Sequence, residues 1–226
     1  GRDNPAASLP TAPEPVIQPP PNYPVPSAPP PQNLQVLAGE IAQTYRSITT
    51  LTADYENHQV NGKETYYAKA HMLFAKPRKL RIDIKDSSDS LLSGASIVWL
   101  GGSTLKGRKD IGFIPIKQEH KLTDKPSIRG WTLNQTDYDA MVRSLLAGLP
   151  GAKLLGQSRI GGQSLLMVEY RATLPGVTLE RIGIDTNRRL PLYREFRESA
   201  NGQIVFSTIY TRPVLNARFP ANAFSL

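Results

Sequence analysis

The chain has 226 residues, of which 39% are apolar, and its 27 basic and 19 acidic residues give a formal net charge of +8. It contains no cysteine, which excludes disulfides, thiolate zinc sites and thiol catalysis. This length and apolar content predict one domain with a hydrophobic core.

The first 31 residues form a proline-rich segment that we expect to lie outside that core. It holds twelve of the 20 prolines and shows no apolar periodicity. We therefore predict a disordered tether over residues 1–31 and a folded domain over residues 32–226. The chain begins with Gly1 and not with methionine, so we expect that a targeting segment or a lipidated membrane anchor has been removed. A spacer to another domain would have the same composition.

The first half of the domain reads as one helix followed by strands. Asn33 is a candidate N-cap, and the apolar residues that follow recur at helical spacing: Leu34, Leu37, Ile41, Tyr45 and Ile48. Asn61-Gly62 then predicts a tight hairpin between two long strands. In "LFAKPRKLRIDI", residues 73–84, Pro77 interrupts a strand and a second strand with period-two alternation follows. Further alternating runs surround the glycines in "VWLGGSTL".

The second half begins with another short helix and continues as strands. Thr136 and Asp139 resemble a capping box before an apolar helical face that Gly148 and Pro150 end. Five alternating runs separated by Gly-Gly, Pro-Gly and Asn-Gly turns come next, as in an antiparallel meander. We predict an α+β fold: about four strands, the second helix and about five strands, forming a curved antiparallel sheet with two short helices over its concave face.

The sequence offers no catalytic or metal-binding motif. His58, His71 and His120 are far apart and lack metal-ligand spacing, and no serine lies in a nucleophile elbow. There is no Walker A or dinucleotide motif, and Asp83, Asp86 and Asp89 are typical of a solvated loop. We therefore expect neither an enzyme nor a cofactor.

The basic charge admits nucleic acid, anionic lipid or an acidic protein as a partner. Basic and acidic residues alternate in "LERIGID" and "YREFRE", which dilutes any positive face, so we expect no nucleic acid.

The order of these elements, and above all the segment "IDTNRRLPLYREFRESANGQIVFSTIYTRPVLNARFPANAFSL", resembles the bacterial lipoprotein-carrier superfamily of LolA, LolB and related outer-membrane lipoprotein-sorting proteins. Seven positions follow the order of the superfamily's closing pattern: Ile184, Asp185, Pro191, Gly202, Asn216, Pro220 and Phe224. The resemblance covers residues 34–226. It implies an incomplete β-barrel in the periplasm or cell envelope, with helices as a lid over an apolar cavity for acyl chains.

The resemblance also implies where a ligand would lie. The candidate cavity residues are Phe74, Leu80, Ile82, Trp99, Phe113, Trp131, Met141 and Leu145. Family members often carry a basic residue just before the proline at the cavity rim; here this residue is Lys76, with Arg78 and Arg81 as further rim candidates. One alternative keeps the fold but fills its concave face with side chains, which would make the domain an interaction or sensor module for an envelope protein.

Overall fold

The computed structural model describes residues 33–124 and 127–226, so the predicted tether over residues 1–31 lies outside the described residues. Within them, three α-helices and two short 3-10 helices, Leu122–Asp124 and Leu149–Gly151, accompany eleven strands. The α-helices are α1 (Leu34–Ser47), α2 (Leu133–Thr136) and α3 (Tyr138–Gly148). The strands are β1 (Thr50–Asn61), β2 (Glu64–Ala75), β3 (Lys79–Ser87), β4 (Ser96–Trp99), β5 (Thr104–Ile111), β6 (Ile114–Lys121), β7 (Lys153–Ile160), β8 (Gln163–Arg171), β9 (Leu179–Asp185), β10 (Leu190–Arg197) and β11 (Ile204–Leu215).

The first helix forms as its capping residue and its apolar spacing predict. Asn33 Oδ1 accepts hydrogen bonds from the backbone N–H groups of Gln35 at 3.0 Å and Val36 at 3.3 Å. These bonds satisfy donors that the first helical turn would otherwise leave unpaired. Leu37 and Ile41 on the apolar face are buried, so α1 is an amphipathic helix packed on the sheet.

The second helical region differs in detail from its prediction. Thr132 and Gln135, and not Thr136 and Asp139, form the capping box, and this box begins the short helix α2. Asp137 then adopts an extended backbone that ends α2, and its side chain caps α3 by accepting from Ala140 N at 2.9 Å. This break leaves Asp139 in the first turn of α3, where its carboxylate is free to contact other elements.

All eleven strands belong to one antiparallel sheet with the order β6-β5-β4-β3-β2-β1-β11-β10-β9-β8-β7. Six strands precede α2, more than the expected four, and five follow α3 as predicted. The two halves join where β1 pairs with β11, for example His58 with Ser207. The sheet is open, with β6 and β7 at its edges, which confirms the α+β class and the predicted incomplete barrel.

The sheet bends around the helices, because one apolar cluster contains residues from distant strands. Trp99 of β4 and Leu166 of β8 belong to the same buried cluster as Ile41 of α1 and Leu145 of α3. Strands β4 and β8 are seven places apart, about 34 Å in a flat sheet at the usual strand spacing. Two helices side by side are only about 20 Å wide, so the face that they cover is concave.

Candidate functional site

Six of the eight predicted cavity residues come together between the helices and the sheet. Five of them are at most 2% exposed in the main apolar cluster, and Ile82 packs against it: Phe74, Leu80, Trp99, Met141 and Leu145 are the five. They come from α3 and from three neighbouring strands, β2, β3 and β4. Any ligand under the helices would contact this group.

The other two predicted cavity residues lie elsewhere. Trp131 belongs to a second apolar cluster, where its ring lies 5.2 Å from that of Phe196 and 5.5 Å from that of Phe206. Phe113 is fully exposed in the turn between β5 and β6, where Gly112 has a positive φ. This tight turn ends the hairpin away from the helices, so Phe113 does not line the space beneath them.

The three predicted rim cations lie on two sides of the sheet. Lys76, in a cis peptide bond with Pro77, donates from Nζ to the carbonyl of Tyr45, and its Nζ lies 4.2 Å from the Tyr45 ring centre. Arg81 instead points to the outer face, where it pairs with Asp83 at 2.9 Å and donates to the carbonyls of Ala223 and Ser225. Of these three cations, Lys76 and Arg78 therefore lie next to the helices.

Arg78 connects the β2–β3 turn to the start of α3. Its Nη2 lies 2.8 Å from Asp137 Oδ1, its Nε lies 3.1 Å from Asp137 Oδ2, and Nη2 also donates to Asn134 O at 2.6 Å. Asp139 accepts from Tyr45 Oη at 2.6 Å and pairs with Arg78 at 3.5 Å. We call Arg78, Asp137, Asp139 and Tyr45 the Arg78 cluster; it joins α1, α3 and the β2–β3 turn at one edge of the helix layer.

The cluster is partly shielded from water, which changes the acidity of its members. The side chain of Asp137 is fully buried and that of Arg78 is 27% exposed. The hydrogen bond to Asp137 raises the pKa of Arg78, whereas burial raises the pKa of Asp137 against the opposing effect of Arg78. Burial and the bond to Asp139 raise the pKa of Tyr45 far above its usual value, so this hydroxyl stays a hydrogen-bond donor.

A chain of aromatic rings occupies the interior next to this cluster. Tyr138 lies 6.4 Å from Tyr45, 6.1 Å from Phe74 and 5.2 Å from Tyr210, measured between ring centres. Tyr55 continues the chain at 5.6 Å from Tyr210. Ring pairs at such distances pack favourably. The rings thus fill part of the space beneath the helices.

A buried ion pair crosses the same interior, and the sequence analysis missed it. Arg194 Nε lies 2.7 Å from Glu180 Oε1, and the two side chains are 4% and 1% exposed. Glu180 also accepts from Ser144 of α3 at 2.8 Å, and Arg194 donates to Gln135 O at 3.0 Å. In "LYREFRE" the alternation places Arg194 on the same face as Leu192 and Phe196. This signal could have indicated a buried arginine, although not its partner.

The outer face carries a separate polar recess of about 340 Å³. Its lining residues are Arg81, Gly94, Ser96, Arg108, Asp110, Asn222, Ser225 and Leu226. The cations in it are already paired, since Arg81 contacts Asp83 and Arg108 contacts Asp110. The recess therefore lies where the segment after β11 meets the outer face of the sheet.

The described part of the chain has neither a metal-binding cluster nor a membrane-spanning helix. Residues 33–124 and 127–226 contain no cluster of three histidines or carboxylates arranged to hold a metal ion. No helix in the same ranges is long and apolar enough to cross a membrane.

Comparisons with known proteins give similarities of fold. No protein-family model and no curated protein sequence matches the chain. Similar solved structures include a LolA superfamily protein from Nitrosomonas europaea, with 10% identity, 87% of this chain and 99% of that chain covered and a TM-score of 0.37. Lipoprotein LppX of Mycobacterium tuberculosis is 11% identical over 83% of this chain and 97% of its own, with a TM-score of 0.47.

A third similar structure is the MucA/MucB complex of Pseudomonas aeruginosa. It is 11% identical, the match covers 86% of this chain and 61% of that chain, and the TM-score is 0.44. A LolA superfamily protein is thus among the solved structures with a similar fold. At these identities the likeness describes the fold alone.

Proposed function

We propose that this chain is a non-catalytic carrier or acceptor of the bacterial cell envelope that binds an acyl chain between its helix layer and its sheet. The observation that carries the proposal is the way the helices are held. Their contact with the sheet is largely apolar, through residues such as Ile41, Met141 and Leu145, while the Arg78 cluster fastens one edge. The resemblance of the closing segment to lipoprotein carriers supports the same function.

This arrangement suits reversible uptake of a lipid chain. Each methylene that leaves water for an apolar interior contributes about 0.8 kcal/mol, so a long chain binds without any catalytic group. When the helices move outward, the acyl chain replaces the apolar contacts that they lose, so little apolar surface is left in water. The polar cost of opening is the loss of the Arg78 cluster together with the bonds from Ser144 to Glu180 and from Arg194 to the Gln135 carbonyl.

Fatty-acid uptake tests the proposal. Protein purified without detergent is examined by native mass spectrometry for bound lipid and is then titrated with a fluorescent fatty acid. We expect saturable binding, displacement by an unlabelled long-chain fatty acid, and several-fold faster uptake by Arg78→Ala, because this variant lacks the fastening at the helix edge. Arg143→Ala is the control, since Arg143 is 72% exposed and also pairs with Asp139.

A second candidate function, binding of an envelope protein, is favoured by the packing of the interior. The aromatic chain from Tyr45 to Tyr55 fills interior space, which favours a module that binds an envelope protein through its surface. If neither the wild type nor Arg78→Ala binds or takes up a fatty acid, the carrier function is wrong and this second function replaces it.

A further inference from the structure

The turn between β5 and β6 exposes a group of large apolar side chains. Ile111 is 58% exposed, Phe113 105%, Ile114 68% and Ile116 40%. Ile111 pairs with Ile114 across the turn, and Phe113 lies between them at the tip. Single exposed apolar residues are ordinary on protein surfaces, but four within six positions form a patch of the kind that binds another surface. We call residues 111–116 the hairpin tip.

The strand edge beside the tip is poorly suited to pair with another protein strand. Strand β6 is an edge of the sheet, so its outer backbone groups are not paired within the sheet. Pro115, directly after Ile114, has no N–H to donate, and lysines at 117 and 121 follow along the same strand. Proline and lysine on an edge strand are common features that prevent strand addition.

Basic residues surround the apolar tip on both strands. The hairpin from Thr104 to Lys121 has five basic and two acidic residues. The acid closest to the tip, Asp110, is paired with Arg108 at 2.9 Å. Lys109 donates to the neutral carbonyls of Ser90 and Leu91, at 2.8 Å and 3.2 Å, and Lys117 donates to the carbonyl of Leu226 at 2.5 Å. Hydrogen bonds to neutral carbonyls do not offset the positive charge of an ammonium group.

The spacing of apolar and basic residues matches the layers of a bilayer surface. Lys117 is three residues behind Ile114, and Lys109 is two behind Ile111, or about 7–10 Å at the usual rise of a strand. Apolar side chains of interfacial segments are buried about 5–10 Å into the boundary between head groups and acyl chains. Lysines at this distance behind the tip would thus lie among the head groups.

We propose that the hairpin tip docks on the surface of an anionic lipid bilayer, with Phe113 inserted and the lysines bound to lipid phosphates. The occupant is a membrane because a fully exposed aromatic tip with a cationic border complements an anionic interface, and because the edge strand opposes strand pairing. The proposal is independent of what fills the interior. It gives the domain a membrane contact of its own, separate from any anchor at its amino terminus.

Vesicle binding by the complete chain tests this proposal. The vesicles contain phosphatidylcholine with about a third phosphatidylglycerol, and vesicles of phosphatidylcholine alone provide the comparison. We expect Phe113→Ser to weaken binding to the anionic vesicles about tenfold or more, the effect of removing one buried aromatic side chain. Lys117→Gln should weaken it about fivefold, and added salt should weaken it further. Leu100→Ser is the matched control, because Leu100 is 51% exposed in the turn between β4 and β5, away from the hairpin tip.

A fluorescent reporter measures insertion directly. Phe113→Trp should shift to shorter emission wavelengths with anionic vesicles and be quenched by brominated lipid, whereas Leu100→Trp should show neither effect. The native tryptophans, Trp99 and Trp131, are buried and give a constant background.

Three results would overturn the proposal: no binding to anionic vesicles, binding that Phe113→Ser leaves unchanged, or a tip that mediates self-association of the chain and not vesicle binding. Phe113→Ser should keep the thermal midpoint and the uptake of soluble fatty acid of the wild type. A failure of vesicle binding is therefore distinct from a failure of the carrier function.

Discussion

Arg78 in the β2–β3 turn forms a two-point ion pair with Asp137, the residue that caps α3, at 2.8 Å and 3.1 Å. The β2–β3 turn is thereby joined to the break between α2 and α3, which comes 59 residues later in the chain. The same guanidinium lies over the Trp99 ring, at 5.1 Å from its centre. One side chain thus links the helix layer, the sheet and the candidate ligand site.

We predict that Arg78→Ala lowers the free energy of unfolding by about 2 kcal/mol. The substitution leaves the fully buried Asp137 carboxylate without its main cationic partner, and an unpaired buried charge is strongly destabilising. The remaining exposure of Arg78 reduces the effect below that of a fully buried pair. Urea denaturation measures it.

Arg143→Ala provides the comparison for this measurement. Arg143 also pairs with Asp139, at 2.6 Å, but it is 72% exposed, so its loss should cost about 0.5 kcal/mol or less. Equal effects of the two substitutions would mean that the Arg78 cluster is no more than a surface ion pair.

Replacement of glycine by alanine should have opposite effects on stability at Gly148 and at Gly39. A Cβ at Gly148, the last residue of α3, would lie 2.5 Å from Cδ2 of the Tyr170 ring, so Gly148→Ala should destabilise the fold by about 1–3 kcal/mol. At Gly39, within α1, a Cβ has open space, and Gly39→Ala should stabilise it by about 0.5–1 kcal/mol. Thermal unfolding of both variants gives the comparison, and a stable Gly148→Ala variant would show that α3 does not lie this close to β8.

The sequence predicted the faces of the elements well because periodicity reports burial directly. Leu80 and Met141 were assigned to the interior from alternation and helical spacing, and both are buried there. Phe113 has the same apolar character, but its position depends on the tight turn at Gly112, which directs the hairpin away from the helices. Apolar content alone does not distinguish a core residue from an exposed one at the tip of a hairpin.

Long-range polar contacts were harder to predict. Arg78 was a candidate cation, but its partner, Asp137, is accessible to it because the backbone at Asp137 is extended. The sequence pattern instead predicted a capping box of Thr136 and Asp139, with Asp137 inside it. The pairing of Arg194 with Glu180 depends on the register between β9 and β10. A one-residue slip in this register would place the two side chains on opposite faces of the sheet. Such pairs are set by the tertiary fold and have no local pattern.

Glu195 should give the stability of the fold a specific pH dependence. Burial raises the pKa of Glu195, although Arg197 and Arg181 oppose the shift. A carboxyl whose pKa is higher in the folded than in the unfolded state contributes most below the unfolded value of about 4.3. That contribution is lost as the pH rises through the folded pKa. The wild type should therefore lose stability relative to Glu195→Gln as the pH rises from about 4 to 7.

Urea denaturation of the wild type and Glu195→Gln at several pH values measures this difference. A wild type that gains stability relative to the variant over the same range would show that the arginines outweigh burial and lower the pKa. Glu198→Gln is the matched control at an exposed position, since the Glu198 side chain is 59% exposed.

The ion pair of Arg194 and Glu180 predicts strong coupling between two substitutions. Glu180→Leu alone leaves a buried guanidinium without its carboxylate, and we expect it to cost about 3–5 kcal/mol; Arg194→Met alone should cost a similar amount. The double variant replaces the buried pair with two apolar side chains, which pack against the apolar residues around them. It should be much more stable than the sum of the single effects predicts, as is common for buried pairs.

A double-mutant cycle by urea denaturation measures this coupling. Additive effects would mean that each side chain is held mainly by its other contacts, Ser144 Oγ for Glu180 and the Gln135 carbonyl for Arg194. The same four proteins also test the carrier function, because removal of the buried charges makes the interior more favourable for an acyl chain. If the interior receives such a chain, the double variant should bind the fluorescent fatty acid at least as tightly as the wild type.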